Sequence, residues 1–238
     1  MTVQERLQSL VTAANATTGG TDADMTAATQ SLIAGYGGGE TDVVDSILNG
    51  TIVEITNDIT AIRAYAFAYC NDLVSVSFPN ANLVGGSAFI KCRRLLNVNL
   101  PIASELRENC FENCRKLQSI SLPQTTKFVD STFSSCSSLT TCDFPLLESM
   151  GNSCFYYCNA LVSITFPVLT SMGNNSFGGC KGLRSITLQS PTVCTLGGTT
   201  LGNGLSADLR IYVPADLVDA YKTATNWVNY SDKILPIP

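Results

Sequence analysis

The sequence predicts a solenoid, a fold in which short repeats wind into successive coils around one apolar core. Phenylalanine recurs every 22 residues from Phe67 to Phe177, without slippage. A cysteine follows three residues after each phenylalanine, and a leucine follows three residues later again. A fixed period of this length indicates repeats that bury their apolar edges only against neighbouring repeats. The three repeat positions are filled by Phe67, Phe89, Phe111, Phe133, Phe155 and Phe177, by Cys70, Cys92, Cys114, Cys136, Cys158 and Cys180, and by Leu73, Leu95, Leu117, Leu139, Leu161 and Leu183.

Each repeat contains one predicted strand and one return path. In the first full repeat, Val76 and Phe78 alternate with polar residues as in a half-buried strand, and Pro79 ends it because proline has no donor for a ladder. Further residues lie eight and five positions before each phenylalanine, as Leu147 and Met150 do, and all of them except Thr125 are apolar. Because the strands keep phase, we expect a β-rich α/β superhelix with a parallel sheet on one face and short helical or irregular turns.

The spacing of Leu73, Val76 and Phe78 fits a leucine-rich repeat, and the added phenylalanine, cysteine and proline resemble the BspA-like, or Treponema pallidum, type. This resemblance covers about residues 51–238 and implies a leucine-rich-repeat solenoid. It also implies non-catalytic protein binding, since BspA-like proteins act at bacterial surfaces as adhesins for host matrix proteins. The asparagine of the common leucine-rich repeat is missing, and its place is taken by Ala81, Ala103, Thr125, Leu147, Leu169 and Pro191.

Residues 1–40 predict a small helical head and linker in front of a solenoid that spans 41–238. Thr2 and Glu5 form a capping-box pattern, and glycines at 19–20 and 37–39 end two short helices. Such helices cannot form a core alone, so we expect them to pack on the solenoid, on a partner or on another copy of the chain. The head also resembles N-terminal segments of prophage-associated proteins of gut bacteria.

Both ends of the solenoid depart from the repeat. Residues 51–66 predict a degenerate first coil, in which Val53 and Ile55 are one residue out of register with later strands. Full repeats occupy 67–190. In the C-terminal cap, 191–238, we expect a strand at 209–213 shifted by one residue, followed by a helix that Pro214 opens. An open solenoid end exposes core and a strand edge, so it requires such a lid.

Composition and charge exclude several classes of protein. The net charge of −5 argues against a general nucleic-acid binder. No segment approaches the roughly 20 apolar residues of a membrane span, and no secretory signal is recognisable. We therefore expect synthesis in the cytoplasm, with any function outside the cell reached by a non-classical route or within a phage-like particle.

The chemical side chains do not form a catalytic or metal-binding pattern. The chain has no histidine, which removes the commonest general base and histidine metal sites. Its ten cysteines mostly follow the repeat, so we expect buried reduced thiols that pack as small apolar groups. The repeat also explains the spacing of Cys110 and Cys114 and of Cys154 and Cys158. We expect no enzyme activity, no metal and no cofactor.

Three groups of exposed residues are candidates for protein binding. Outward strand positions form two polar columns, which include Ser75, Ser77, Asn97, Asn99, Ser119, Ser121, Thr141 and Asp143. Tyrosines occupy the turns at Tyr65, Tyr69, Tyr156 and Tyr157. A basic strip consists of Lys91, Arg93, Arg94, Arg115 and Lys116 and could meet an acidic surface. The columns lack the Trp, Tyr and Arg anchors of binding hot spots.

The sequence is consistent with two different functions. One is a non-catalytic protein-interaction scaffold with an unknown protein partner. The alternative is a structural or receptor-facing component of a prophage or phage-like particle, with the head as its anchor and self-association through residues 1–40. Neither reading involves nucleic acid or a membrane span.

Overall fold

The computed structural model of the chain describes residues 52–54, 59–198 and 201–238. These residues form one continuous solenoid with a capped C-terminal end. The helical head predicted at 1–40 lies outside the described residues.

Strands alternate between a wide face and a narrow face as the chain winds. The wide-face strands are β1 (Ile52–Glu54), β3 (Ser75–Ser77), β5 (Asn97–Asn99), β7 (Ser119–Ser121), β9 (Thr141–Asp143), β11 (Ser163–Phe166), β13 (Ser185–Leu188), β15 (Arg210–Val213) and β16 (Ile234–Pro236). The narrow-face strands are β2 (Ala61–Ile62), β4 (Leu83–Val84), β6 (Glu105–Leu106), β8 (Lys127–Phe128), β10 (Ser149–Met150), β12 (Ser171–Met172) and β14 (Thr195–Leu196). All the observed pairings are parallel, as expected when each coil repeats the course of the one before.

The return path is itself a sheet. Its seven two-residue strands pair in the order β14-β12-β10-β8-β6-β4-β2. Each strand buries its second residue, and Ile62 pairs with Val84, as Met150 pairs with Met172. The sequence predicted these apolar positions but not their hydrogen-bonded ladder.

The wide face carries three separate ladders instead of one continuous sheet. Their orders are β1-β3-β5, β7-β9 and β11-β13-β15-β16. The ladder is therefore interrupted between β5 and β7 and again between β9 and β11. Within each ladder the strands align one repeat apart, as Ser75 aligns with Asn97 and Ser119 with Thr141.

The predicted file of aromatic rings is confirmed. All six repeat phenylalanines are buried, and successive rings from Phe67 to Phe177 stack with centroids 5.2–5.6 Å apart. Their planes are inclined by 16° at most, between Phe133 and Phe155. Burying an aromatic side chain stabilises a fold by roughly 1.5–3 kcal/mol, so this file is a major part of the core.

The turn around each phenylalanine contains two residues in the left-handed conformation. They lie two positions before and two positions after the ring, as Asn109 (φ 56°) and Asn113 (φ 60°) do around Phe111. Asn, Ser and Gly fill most of these positions because they tolerate positive φ. Backbone N–H groups of the turn, such as that of Phe111, donate to carbonyls of the next coil, which for Phe111 is that of Thr132 at 2.9 Å.

The first coil accommodates its one-residue offset as the sequence predicts. Val53 pairs with Val76, a spacing of 23, whereas Ile62 pairs with Val84 at 22. The additional residue therefore lies between β1 and β2.

The last coil is longer than the sequence predicts, and the expected shift of one residue is wrong. Ile186 pairs with Ile211, a spacing of 25 instead of 22. The phenylalanine position of this coil is taken by Gly202 at φ +141°, where a Cβ atom would lie 2.2 Å from the Cα of Gly178. No ring can occupy that position, so the file of phenylalanines ends at Phe177.

A strand, a short helix and two turns of 3-10 helix close the C-terminal end. Helix α1 (Val218–Thr223) lies between 3-10 turns at Ala215–Leu217 and Trp227–Tyr230. The indole Nε1 of Trp227 donates to the carbonyl of Cys194 at 2.6 Å, and the N–H of Cys194 donates to the hydroxyl of Tyr221 at 2.8 Å. Side chains of the cap thus replace the hydrogen bonds that a further coil would make.

Candidate functional site

A shallow hollow of about 380 Å³ lies on the wide face between β3 and β9. Its walls are side chains that project outward from four consecutive wide-face strands, and its floor includes Val76, Val98 and Ile120. It spans the interruption between β5 and β7. The structure brings together in this hollow all eight polar-column candidates, Ser75, Ser77, Asn97, Asn99, Ser119, Ser121, Thr141 and Asp143.

The polar walls of the hollow are paired within ladders and not across the interruption. The amide of Asn99 donates to the hydroxyl of Ser77 at 2.9 Å, and the hydroxyl of Ser121 donates to a carboxylate oxygen of Asp143 at 2.9 Å. Asp143 is the one charged side chain that lines the hollow. The site therefore presents hydroxyl and amide groups, which both donate and accept, with one negative charge at its C-terminal side.

The wide face also has anchor residues that sequence reasoning missed. The pairing of Ser185 with Arg210 and of Thr187 with Tyr212 places both residues on the polar columns, beside Leu235. The expectation that the columns lack Tyr and Arg is therefore wrong at their C-terminal end. The last coil is three residues longer than the repeat, and this extra length aligns Arg210 and Tyr212 with the polar columns. The sequence could have shown this only if residues 210–213 had been aligned as a further strand of the solenoid.

The basic strip lies beside the amino ends of wide-face strands. Arg93 and Arg94 precede β5, and Arg115 and Lys116 precede β7, and all four side chains are exposed. The ammonium of Lys91 lies 4.9 Å from the ring centroid of Tyr69, which is a cation–π contact. Among the described residues, the guanidinium groups of Arg93 and Arg94 and the ammonium of Lys116 form no ion pair.

The candidate tyrosines lie on the outer turns, and three of them adopt positive φ. Tyr65 (61°), Tyr69 (65°) and Tyr157 (56°) are 54%, 42% and 45% exposed. A bulky residue in this conformation is an outlier that costs free energy. Tyr156 is half-buried, and its ring centroid lies 4.2 Å from that of Tyr157.

The repeat cysteines have a specific structural role. From Cys92 to Cys180, the thiol of each one lies near the phenylalanine carbonyl of the preceding coil, at 2.9 Å for Cys92 and Phe67 and 3.1 Å for Cys114 and Phe89. Burial raises the pKa of the Cys114 thiol well above its ordinary value and that of Cys180 to about 12. All ten cysteines are free thiols, and nine of them are buried.

The described ranges offer neither a cluster of metal ligands nor a membrane-spanning helix. They contain no group of three or more His, Cys, Asp or Glu side chains placed to hold a metal ion. No helix within them has the length and apolar character needed to cross a bilayer.

Comparisons with known proteins agree with the repeat pattern. The family model described as "BspA type Leucine rich repeat region (6 copies)" matches residues 45–159 and 83–206. No curated protein matches the chain.

Three solved structures share the architecture. A leucine rich cell surface protein from Faecalibacterium prausnitzii is 29% identical, with a TM-score of 0.54 over 59% of this chain and 39% of that one. A leucine-rich repeat protein from Bacteroides ovatus is 22% identical, with a TM-score of 0.56 over 79% and 54%. The leucine rich repeat protein of T. pallidum is 24% identical, with a TM-score of 0.53 over 77% and 86%.

The chain spans less than two thirds of the first two of these proteins, and the two matches below 25% identity show the fold alone. The family match itself covers more than half of the chain. The phenylalanine file, the two parallel faces and this match lead to one conclusion: the chain belongs to the BspA-type leucine-rich-repeat family.

Proposed function

We propose that this chain is a non-catalytic recognition module that binds a protein partner through the hollow on its wide face. The observation that carries the proposal is the hollow itself, in which eight outward polar side chains of four coils converge over a rigid floor. The stacked core beneath holds these groups in place before a partner arrives, and such preorganisation lowers the ordering cost of binding.

The composition of the face favours a protein partner over a small substrate. Hydroxyl and amide groups can pair with the N–H and C=O groups of a partner's backbone. Tyr212 and Arg210 at the C-terminal end belong to the residue types that dominate binding hot spots. The absence of histidine from the chain also makes general acid–base catalysis a poor explanation of the hollow.

A setting at the bacterial surface suits such a module. The relative from Faecalibacterium prausnitzii is described as a cell surface protein. We propose a matrix protein of the host as the partner class. The alternative role in a phage-like particle depended on residues 1–40, which are not among the residues described.

Binding to immobilised fibronectin, laminin and collagen, measured by surface plasmon resonance, tests this proposal. Asn97→Ala with Asn99→Ala removes two amides from the hollow and should weaken binding to the matrix protein at least tenfold. The matched control, Ser163→Ala with Thr165→Ala, changes the same two columns outside the hollow and should alter affinity less than threefold. Unchanged circular dichroism establishes that both variants fold.

Two results would overturn the proposal. The first is no binding of the unmodified protein to any of the three matrix proteins. The second is an equal loss of affinity in both double variants, which would remove the hollow from the contact.

A further inference from the structure

The net charge of the chain is confined to its N-terminal segment, defined as residues 1–51. This segment has six carboxylates, Glu5, Asp22, Asp24, Glu40, Asp42 and Asp45, and one basic residue, Arg6. Residues 52–238 have 13 acidic and 13 basic residues and are neutral overall. The chain therefore consists of an acidic segment attached to a neutral solenoid.

The basic charges of the solenoid are concentrated on two neighbouring coils. Five of its 13 basic residues form the basic strip at 91–116. Arg93, Arg94 and Lys116 make no ion pair among the described residues, so their charges are open to a partner. Asp72 holds the position of Arg94 in the preceding coil, and Glu105, Glu108 and Glu112 lie within the same range of sequence as the strip.

The topology brings the two charged regions to one edge. The N-terminal segment enters the solenoid at the amino end of β1. Because β1, β3 and β5 are parallel, their amino ends lie along the same edge of the wide face. Arg93 and Arg94 precede the first residue of β5 by four and three residues at that edge, two strands from β1, and a strand-to-strand step is about 4.8 Å.

We propose that the acidic N-terminal segment docks on the basic strip of the same chain. Its carboxylates are opposite in charge to the unpaired guanidinium and ammonium groups of the strip, and a guanidinium group can bind a carboxylate in a bidentate manner. Contact within one chain needs no loss of translational freedom, so it is favoured over the same contact between two molecules. The docked segment lies at the rim of the hollow, because Arg94 is three residues before Asn97.

Zero-length carbodiimide cross-linking of the full-length protein tests the proposal directly. The reagent joins a carboxylate to an amine in contact with it, and the segment has no lysine, so a segment carboxylate can reach only lysines of the solenoid or the chain's α-amino group. At low salt we expect cross-links to Lys91 and Lys116 in monomeric protein, at least tenfold more abundant than those to Lys181 and Lys222. They should disappear in 0.5 M salt, where charges are screened within a few ångströms.

A matched pair of variants locates the contact. Arg93→Glu with Arg94→Glu should reduce the cross-links to Lys91 and Lys116 at least fivefold. The control, Lys181→Glu with Arg184→Glu, reverses a basic pair on a distant coil and should leave them unchanged. Lys181 holds the same repeat position as Arg93, four residues after the phenylalanine.

Three outcomes would overturn the inference. Equal labelling of Lys91, Lys116, Lys181 and Lys222 would show no preferred docking site. An equal effect of both double variants would remove the basic strip from the contact. Cross-links that join ¹⁵N-labelled to unlabelled chains in a mixed sample would assign the contact to a second copy. Since none of these readouts uses an external partner, they are independent of the proposed function.

Discussion

The thiol of Cys114 lies 3.1 Å from the carbonyl oxygen of Phe89, one coil earlier. The same contact recurs for Cys136 with Phe111 at 3.1 Å and for Cys158 with Phe133 at 3.3 Å. The two most regular residues of the repeat are therefore linked across every coil boundary from Phe67 to Cys180. Cysteine fits this position because it is small, apolar and able to donate a weak hydrogen bond.

Replacement of Cys114 by alanine tests this contact. We expect the free energy of unfolding to fall by about 1–3 kcal/mol, because the change leaves a small void and removes one donor from a buried carbonyl. Urea denaturation followed by circular dichroism measures the loss. Cys142→Ala is the control, since this thiol is half-buried and makes no such bond among the described residues. An equal loss in both variants would show that the contact contributes nothing specific.

The buried thiols predict a loss of stability at alkaline pH. Burial raises the pKa of Cys154, Cys180 and Cys194 to about 12, whereas an exposed thiol titrates at about 8.5. Between these values the unfolded chain releases protons that the folded chain keeps, so the free energy of unfolding falls as pH rises. The stabilising contribution is fully present below about pH 8.

Urea midpoints at pH 7, 8.5 and 10 measure this dependence. They should fall from pH 7 to pH 8.5, where about half of the thiols of the unfolded chain are ionised, and fall further at pH 10. Thiol titration of denatured protein without reductant should give ten free thiols per chain, which establishes that the groups are available to titrate. A midpoint that stays constant up to pH 10 would contradict the predicted burial.

The C-terminal cap depends on a hydroxyl that accepts a backbone hydrogen bond. In Tyr221→Phe the N–H of Cys194 loses its partner at a buried position, which should cost about 1–3 kcal/mol. Tyr212→Phe, on the outer face of β15, should cost less than about 0.5 kcal/mol because surface changes are usually small. Thermal unfolding of both variants compares them, and equal midpoints would mean that the cap does not close the solenoid through Tyr221.

The repeat predicted the interior well because burial alone fixes it. Phe111, Cys114 and Leu117 recur with one period, and a residue that keeps such a period must face the common core. The outward columns follow from the same argument, since neighbours of buried strand residues point away from the core. This is why Ser119 and Asp143 could be placed on one face without coordinates.

The features that were not predicted depend on contacts between coils. The narrow-face ladder depends on pairings such as that of Ile62 with Val84. A strand of two residues is too short to show the alternation of apolar and polar residues that predicts a strand from sequence. Arg210 and Tyr212 align with the columns because the last coil has 25 residues. The 22-residue repeat had already ended there, so its period could not predict this alignment. Ser and Asn at two positions either side of each phenylalanine were a usable signal for left-handed turns, since these residues tolerate positive φ.

Replacement of Phe111 by alanine tests the stacked file of rings most directly. Phe111 is fully buried between Phe89 and Phe133, at centroid distances of 5.2 Å and 5.5 Å. The free energy of unfolding in urea should fall by about 3–5 kcal/mol, whereas the exposed Tyr65→Ala should cost less than about 1 kcal/mol. A loss below about 1 kcal/mol for Phe111→Ala would contradict the continuous inward file on which both binding surfaces are built.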